Sequence, residues 1–560
     1  MNRLLQYTRT LCYLRPQQVL ALISNRLQRP STKLQRPERV GLRPGIGIIQ
    51  NIQDPLPPAS DFSFRFLNQE KTFSNRRIDW VSEEMSKLWR YNLHYFDYLN
   101  DRSRSLEHRK QLVTDWVQHT RPGMGDAWEP YTVSLRIVNW IKFFLAPNVT
   151  FQQEWVESLY QQTLWLERNI EYHILANHYL KNGVALFFAG MYFEGDDAER
   201  WIKKGVKILR EELDEQFLQD GGHYERSPMY HSLCVMDYLD VLNLMAASRD
   251  VMIFNEFEQF KAQTTRALHF LNAICLPDGE IPLLNDSAFG IASQPNRIDA
   301  YASLVIGYTR PDTRSELSVT QHPQSGYYVL RKDQDMMIID CGEIGPRYQP
   351  GHAHCDTLSY ELAVNGRRMI VDSGVYDYEH SRQRAYARST RAHNTVTVDD
   401  EEQSEIWGVF RVARRARPTF GWAKMTSDDH AVFEGAHDGY TRLPGALIHR
   451  RRIEYDGHSH WLVVDRMEGT GRHRANSYIH LHPDFTADIE GRRVSIRDTA
   501  GHEWASFEML DDGEISLEES WYYPEFGREI KNQAIVYACT GAMPLSLAYR
   551  ITIATNGPAT

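Results

Sequence analysis

Residues 361–374, ELAVNGRRMIVDSG, predict a β-hairpin, because apolar and polar residues alternate on either side of Asn365-Gly366. An Asn-Gly pair favours the type I′ turn that joins two antiparallel strands. Short alternating runs continue towards the C-terminus, separated by Asn-Gly, Asp-Gly and Gly-Arg turns. They include SGYYVLRKDQDMMIIDCGE (325–343), HRRRIEYDGHSHWLVVDRME (449–468) and LSLAYRITIAT (545–555). The C-terminal part of the chain is therefore predicted to be an antiparallel β-sandwich.

Upstream of Gln324 the apolar residues recur every three or four positions, which predicts helices. Segments of this kind include SLRIVNWIKFFL (134–145), WVESLYQQTLWLERNIEYHIL (155–175) and RWIKKGVKILREELDEQF (200–217). They follow one another without a convincing strand and predict an all-α domain of antiparallel helix pairs. Three regions are thus predicted: an N-terminal arm and Pro-rich linker at 1–60, a helical domain at 61–323, and a β domain at 324–560.

The overall composition indicates a folded protein of more than one domain. The chain has 560 residues, of which 42% are hydrophobic and 24% charged, and its formal net charge is −10. A dedicated nucleic-acid-binding protein usually has a strong basic excess, so nucleic acid is not the expected partner. The six cysteines have no CxxC spacing, which is typical of reduced, buried thiols and excludes a zinc ribbon.

The N-terminal stretch MNRLLQYTRTLCYLRPQQVLALISNRLQRP (1–30) starts with basic residues and predicts a helical arm. Charged residues, Pro16 and the Gln17-Gln18 pair interrupt its apolar runs, so it lacks a signal-peptide core. Two interpretations remain open. The arm either packs on the protein body, or it forms a basic amphipathic helix that rests on a membrane or a partner.

Several histidines and carboxylates surround the hairpin. In an extended chain His352, His354 and Asp356 would share one face, and the hairpin would return Asp372 alongside them, with His393 opening the next strand. Two imidazoles and a carboxylate suit a zinc ion with an open fourth position. The alternative is that these histidines only form hydrogen bonds to the backbone or to carboxylates.

The helical part contains a second polar cluster. The segment ILANHYLKNG (174–183) places Asn177 and His178 inside a helical run, where Asn is a poor helix former. The segment DGGHYERSPMYHS (220–232) begins a helix, with Ser227 as the cap and Pro228 in the first position. Capping explains these two residues but not the crowding of His, Glu, Arg and Tyr side chains around them.

These motifs, in this order and spacing, resemble the heparinase II/III-like polysaccharide lyases, which also include oligo-alginate lyases. The resemblance begins at LWRYNLHYFDYL (88–99) and extends through the β domain. It rests on NHYLKNGVALFFAGMYF (177–193), DGGHYERSPMYHSL (220–233), GHAHCDTLSYELAVNGRRMIVDSGVYDY (351–378) and RSTRAHNTVTVDDEEQSEIWGVFR (388–411). The resemblance implies an α/α toroid followed by a β-sandwich, with an acidic polysaccharide bound between them. It also implies β-elimination at a uronic acid, which leaves an unsaturated uronate end.

The resemblance also implies residue roles. Asn177 matches the position that binds the substrate carboxylate, and Arg226 is expected to assist it by charge. His178 resembles the histidine base, and Tyr230 resembles the tyrosine that protonates the leaving group. His352 resembles the histidine that completes the site from the β domain.

Further positions follow from the same motifs. Glu225 and His231 are predicted as additional substrate contacts. The implied zinc ligands are His354, Asp372 and His393, and the ion is expected to anchor loops of the β domain. Lys181 departs from relatives that carry a carboxylate near this position, which affects the subsites.

Two other functions are compatible with the sequence. A glycoside hydrolase on the same toroid would need paired carboxylates, for which Glu129, Glu225 and Asp286 are candidates. A non-catalytic polysaccharide-binding or assembly factor would not require the acid–base set. The family implies a bacterial envelope or periplasmic setting, with the cytoplasm as the alternative, and the resemblance extends to proteins associated with exopolysaccharide production.

Overall fold

The protein consists of a helical N-terminal half and a C-terminal half of antiparallel sheets. The computed structural model describes residues 3–27, 34, 40–52, 62–74, 77–249, 252, 254–311 and 315–554. The last helix of the first half ends at Ile306, and the first strand of the second half begins at Ser318. The predicted fold class is confirmed. Much of the predicted linker at 30–60 lies outside the described residues.

The helices, in chain order, are α1 (Arg3–Leu11), α2 (Pro16–Leu27), α3 (Lys87–Tyr95), α4 (Leu106–His119), α5 (Pro130–Phe144), α6 (Gln153–Arg168), α7 (Ala176–Tyr192), α8 (Asp196–Gln216), α9 (Pro228–Ala247), α10 (Phe257–Ile274), α11 (Pro295–Ile306) and α12 (Arg382–Ala387). Helices α3, α5, α7, α9 and α11 contact one another in succession. Helix α8 packs on α7, and α10 packs on α9. This alternation of inner and outer helices matches a toroid of helix pairs. Helices α7 and α9 are buried on nearly all sides, as expected of inner helices.

The strands are β1 (Ser63–Phe66), β2 (Gln69–Thr72), β3 (Ser318–His322), β4 (Tyr327–Lys332), β5 (Asp335–Asp340), β6 (Tyr360–Val364), β7 (Arg367–Ile370), β8 (Val396–Val398), β9 (Ile406–Trp407), β10 (Arg411–Val412), β11 (Pro418–Ser427), β12 (His430–His437), β13 (Ile448–Tyr455), β14 (His460–Glu468), β15 (Arg472–His480), β16 (Phe485–Glu490), β17 (Arg493–Asp498), β18 (Glu503–Met509), β19 (Glu514–Tyr522), β20 (Ile530–Ala542) and β21 (Leu545–Ile553). The β1–β2 hairpin precedes the helical domain and was not predicted.

Three larger sheets and the two-stranded β9–β10 hairpin form the C-terminal half. A five-stranded sheet has the order β3-β4-β5-β6-β7, an eight-stranded sheet the order β11-β12-β13-β14-β21-β18-β17-β16, and a four-stranded sheet the order β19-β20-β15-β8. The predicted hairpin is β6–β7, and both Asn365 and Gly366 have positive φ, as a type I′ turn requires. Tyr328 of the five-stranded sheet packs on Phe433 of the eight-stranded sheet, with ring centroids 5.1 Å apart. These sheets enclose a common apolar core, as in a sandwich.

The two halves meet on the other face of the five-stranded sheet. There Phe270 and Ile274 of α10 are buried against Val329 and Ile338 of β4 and β5. The sheet is therefore covered on both faces, and all five residues of β6 are buried. This packing fixes the loops at the end of the sheet relative to the helix N-termini of the toroid.

The N-terminal arm, defined as α1, α2 and the turn between them, packs on both halves. Arg9 Nη1 donates to a Glu405 carboxylate oxygen at 2.9 Å, and Arg15 forms an ion pair with Glu215 of α8. Within the described ranges, no helix has the length and apolarity needed to cross a membrane.

Helices α7 and α8 approach each other closely at glycines. A Cβ on Gly205 would lie 2.6 Å from the backbone nitrogen of Phe187, which cannot move without shifting α7. We expect Gly205→Ala to lower the free energy of unfolding by about 1–3 kcal/mol through overpacking, despite the better helix propensity of Ala. A Cβ on Gly47 would meet no atom within 4 Å, so Gly47→Ala is the control. Calorimetric unfolding of both variants checks this, and equal melting temperatures would contradict it.

Candidate active site and metal centre

The candidate site lies where the loop between α10 and α11 contacts the loop before β6. Three hydrogen bonds join these loops. Asn285 N donates to Asp356 Oδ2 at 3.0 Å, His354 N to Asn285 Oδ1 at 3.1 Å, and Asp286 N to the His352 carbonyl at 3.0 Å. The two halves of the protein are thus linked through backbone groups directly beside the predicted histidines.

The expectation that His352, His354 and Asp356 share one face of a strand is wrong. Residues 351–359 form turns and bends, and β6 begins only at Tyr360. The backbone of this segment forms hydrogen bonds with the α10–α11 loop and does not pair with a neighbouring strand. His352 and His354 nevertheless meet, because both turn their rings towards Asp286.

The Asp286 side chain is fully buried and has three partners. One carboxylate oxygen accepts from His352 Nδ1 at 2.9 Å, and the other accepts from His354 Nε2 at 2.8 Å. Arg384 of α12 pairs with both oxygens, one of them at 2.9 Å. Burial would raise the pKa of Asp286, but the Arg384 guanidinium and the two histidines hold it well below its usual value. Asp286 is therefore an ionised acceptor.

Because an ionised carboxylate only accepts hydrogen bonds, it fixes which nitrogen of each histidine carries a proton. His352 carries one on Nδ1, and His354 carries one on Nε2. The opposite nitrogen of His352 points to Glu225, with Nε2 3.4 Å from Oε2. The other oxygen of Glu225 accepts from Asn177 Nδ2 at 3.2 Å. A polar chain thus runs from α7 to the β domain.

Tyr230, near the start of α9, stacks on His352. The ring centroids are 3.8 Å apart and the planes are inclined by 27°. The Tyr230 hydroxyl lies 3.2 Å from the Tyr378 hydroxyl. Burial, together with Tyr378, raises the pKa of Tyr230 well above its usual value. Tyr230 is therefore a protonated phenol at neutral pH and can act as a proton donor.

His178, in the first turn of α7, keeps partial exposure. Its Nδ1 lies 2.9 Å from Glu171 Oε1, and its ring lies 4.3 Å from the ring of Tyr131. Asn182 donates to the other oxygen of Glu171 at 3.1 Å, which holds this carboxylate in place. With Nδ1–H directed at Glu171, the lone pair of His178 lies on Nε2.

Arg226 and His231 are placed outside this group. The Arg226 guanidinium donates to the backbone carbonyls of Gln324 and Ser325, both at 3.1 Å, and so ties the start of α9 to the β domain. His231 is buried and its Nε2 donates to the Ala267 carbonyl at 2.9 Å. Lys181 pairs with Asp237 at 2.6 Å.

The predicted metal ligands form a buried group. One ligand atom each of His354, Asp372 and His393 lies within 4.8 Å of the others. His354 Nδ1 and His393 Nε2 are buried and have no hydrogen-bond partner among the described residues. Burial lowers the pKa of His354 to about 4, so this imidazole is neutral and its Nδ1 carries a lone pair. Burial would lower the pKa of His393, but the Asp372 carboxylate, 2.7 Å from its Nδ1, raises it above its usual value. The lone pair of His354 Nδ1, the Asp372 carboxylate and the unpartnered His393 Nε2 form a donor set that can bind a metal ion once His393 has released its proton.

Several residues of the site were not found from the sequence. Arg384, Tyr378 and Glu171 were not singled out, and Asp286 was considered only as a hydrolase carboxylate. Asp286 lies in the segment NDS (285–287) of an irregular loop, which carries no periodic signal. The pairing with Arg384 joins residues that are 98 positions apart. The positive φ of Asn285, a non-glycine residue, marks the loop as locally unusual.

Comparison with known proteins places the chain in a family. The model of the heparinase II/III N-terminus matches residues 58–305, and the model of the heparinase II/III-like C-terminal region matches residues 316–551. A heparin-sulfate lyase of Pedobacter heparinus is 26% identical over 389 residues, which are 64% of this chain and 55% of that protein. The chain thus matches only about half the length of this relative.

Two further proteins are similar. FtsZ-localized protein C of Caulobacter vibrioides is 26% identical over 351 residues, which cover 58% of this chain and 57% of that protein. The crystal structure of heparinase III superposes with a TM-score of 0.70 at 18% identity, covering 90% of this chain and 84% of that chain. This superposition shows the same fold, a toroid followed by a β-sandwich. The two family models together span nearly the whole described chain, and the protein belongs to the heparinase II/III-like family.

Proposed function

We propose that the protein is a polysaccharide lyase that cleaves a uronic-acid-containing polysaccharide by β-elimination. The observation that carries this proposal is the stacked pair of Tyr230 from the toroid and His352 from the β domain. It combines a phenol kept protonated by burial with a histidine oriented by Asp286. The Glu225 carboxylate lies beside His352 and accepts a hydrogen bond from Asn177, so polar contacts continue from this pair to α7.

The first demand of the reaction is to stabilise negative charge on the uronate. Removal of the C5 proton moves charge onto the adjacent carboxylate, which needs hydrogen-bond donors in a site of low polarity. In the proposal, the Asn177 amide donates to this carboxylate. Its contact with Glu225 fixes the amide orientation before substrate binds.

The second demand is a base and an acid. His178 Nε2 accepts the C5 proton, with Glu171 stabilising the imidazolium that forms. The electron pair of the C5–H bond forms the C4–C5 double bond as the C4–O bond breaks. Tyr230 donates its phenolic proton to the leaving oxygen, and His352 holds the ring in position by stacking. No water is consumed, and the new non-reducing end is an unsaturated uronate.

The substrate class follows from the same site and from relatives whose names describe heparin-sulfate lyases. We propose an acidic polysaccharide, including a bacterial exopolysaccharide, as the substrate. A glycoside hydrolase is less compatible with the geometry. Asp286 is buried and bonded to Arg384 and two histidines, so it cannot activate water.

We further propose that His354, Asp372 and His393 hold a zinc ion. Two imidazoles, bound as neutral ligands once His393 has released its proton, and a carboxylate match the ligand preferences of zinc. When bound, the ion would neutralise buried negative charge and fix the loops that carry His352 and His393. The reaction itself is assigned to the residues of this chain.

Incubation of the purified protein with a panel of uronate polymers tests the proposed function. We expect ultraviolet absorbance from the conjugated unsaturated uronate to rise with time. Tyr230→Phe should lower kcat by about 10²–10⁴-fold, since general acid catalysis contributes that much, while KM changes little. Tyr172→Phe, on an exposed ring, is the control. New reducing ends without absorbance would instead indicate hydrolysis, and full activity of Tyr230→Phe would remove Tyr230 as the acid.

Asp286→Asn tests whether this carboxylate positions both histidines. An amide accepts on one side and donates on the other, so either His352 or His354 must change its tautomer. We expect a tautomer change in ¹⁵N spectra of histidine-labelled protein and a fall in kcat of at least about 10²-fold. Asp484→Asn, on an exposed side chain, controls for the lost charge. Unchanged histidine tautomers in Asp286→Asn would contradict the role, whether or not the substrate is known.

His354→Ala tests the metal centre. We expect the bound zinc measured by elemental analysis to fall from one equivalent to near zero, and the melting temperature to fall with it. The exposed His460→Ala should change neither quantity. Chelation of the wild-type protein should lower its melting temperature to a similar extent. Equal zinc content in wild-type protein and His354→Ala would contradict the assignment.

A further inference from the structure

The first helix of the N-terminal arm turns its polar side towards the protein and its apolar side outwards. Arg9 pairs with Glu405, and Thr10 Oγ1 accepts from Trp407 Nε1 at 3.1 Å. On the opposite side Leu4 is 71% exposed and Leu11 is 58% exposed. A surface helix normally packs its apolar side on the core, so this orientation is reversed.

The second helix of the arm has the same reversed orientation. Gln18 is buried, and its Nε2 donates to the Ile174 carbonyl at 3.3 Å. Leu20 is 67% exposed and Ile23 is 51% exposed. Polar contacts therefore hold both helices on the protein and leave their apolar side chains in solvent.

The exposed apolar residues are concentrated in this arm. Among the described residues, fifteen large hydrophobic side chains are exposed, and eight of them lie on α1 and α2. The eight are Leu4, Leu5, Tyr7, Leu11, Val19, Leu20, Leu22 and Ile23. Single exposed apolar residues are ordinary, but a concentration of this kind marks a surface that becomes covered.

The charge of the arm indicates what covers it. Residues 1–27 contain four arginines and neither Asp nor Glu, whereas the whole chain has a net charge of −10. Arg3 and Arg26 are exposed on the arm, and Arg411 lies beside α1, with its guanidinium 5.7 Å from the centroid of the Tyr7 ring. Basic residues around an apolar surface match an anionic lipid interface.

A basic pocket lies at the turn between the two helices. It has a volume of about 130 Å³ and is lined by Tyr13, Arg347, Arg415, Arg417 and Glu343, among others. Within the described chain, none of the three guanidinium groups forms an ion pair, whereas the backbone nitrogen of Arg417 donates to Asp438 Oδ1 at 2.8 Å. Arg415 Nε is buried without a partner, and its guanidinium lies 3.8 Å from the centroid of the Tyr13 ring.

Arginine forms the preferred contacts to phosphate, and three arginines against one glutamate leave this pocket positively charged. Burial, together with Arg417 and Arg347, lowers the pKa of Arg415 to about 10. An anion in the pocket would offset both the burial of the Arg415 charge and its repulsion by Arg417 and Arg347. The pocket adjoins the arm through Tyr13, at the turn between the two helices that carry the exposed apolar side chains.

We propose that the N-terminal arm docks the protein on an anionic phospholipid membrane. The apolar sides of α1 and α2 enter the lipid interface, and the arginine pocket binds a lipid phosphate. Helices of 9 and 12 residues are about 14 and 18 Å long, so they lie in the plane of the interface and do not cross the bilayer. This inference is independent of the lyase reaction.

Vesicle sedimentation of the full chain tests this proposal. We expect the protein to sediment with vesicles of equal parts phosphatidylglycerol and phosphatidylcholine, and to remain in the supernatant with phosphatidylcholine alone. The triple variant Leu4→Glu, Leu20→Glu, Ile23→Glu should lower the fraction bound at least tenfold. Arg415→Gln should weaken binding about fivefold, the effect of one basic residue near an anionic surface.

Matched controls separate docking from misfolding. Leu304 is 46% exposed on α11, away from the arm, so Leu304→Glu should bind vesicles like the wild type. Arg472→Gln, on an exposed strand residue, controls for the charge removed at Arg415. The triple variant should retain the wild-type melting temperature, because its three changed side chains are more than half exposed. Arg415→Gln loses the hydrogen bond from Nη1 to the Arg347 carbonyl, so its folded state is checked by circular dichroism before vesicle binding is compared.

Two outcomes would overturn the proposal. One is equal sedimentation of wild-type protein with anionic and neutral vesicles, or of the triple variant and the wild type. The other combines two results: the wild type binds no vesicles, and light scattering shows a wild-type dimer that the triple variant does not form. That outcome would identify a second copy of this chain as what covers the apolar surface of the arm.

Discussion

The buried Asp286 carboxylate is the contact on which both proposed centres depend. Its two oxygens accept from His352 and His354, and Arg384 supplies the charge that keeps it ionised. A buried carboxylate with this set of partners is stable only while all of them remain, since each lost partner leaves a charge unpaired in a medium of low polarity. Asp286 therefore orients both histidines. It directs His352 towards Tyr230, and it directs His354 towards Asp372 and His393.

This carboxylate reaches its partners because the five-stranded sheet is covered on both faces. Helix α10 packs on one face through Phe270, and the eight-stranded sheet packs on the other through Tyr328 and Phe433. The loop after α10 then emerges at the end of the sheet where the chain enters β6. The toroid contributes the Tyr230 phenol, the Asn177 amide and the His178 imidazole, and the β domain contributes the His352 imidazole. The proposed elimination needs both sets within one cleft.

The N-terminal arm adds a constraint of another kind. Its polar contacts with Glu405 and Glu215 join the two halves of the protein on the outside. The same contacts direct Leu20 and its apolar neighbours into solvent. A membrane under this surface would hold the protein by a segment that takes no part in the proposed chemistry, so catalysis and location would be separable by mutation.

Local patterns in the sequence determined the secondary structure: the change of period near Gln324 and the Asn365-Gly366 turn both correspond to observed elements. The motifs also predicted Tyr230 and His352 as catalytic residues through their resemblance to the family, and the structure places these two rings in contact. Tertiary structure alone decided that His352 to Asp356 form a loop, that Arg226 bonds to the backbone, and that Asp286 joins Arg384. Periodicity reports which face of an element is buried, but a contact between irregular loops 98 residues apart leaves no periodic trace, since it arises only when the two domains pack together.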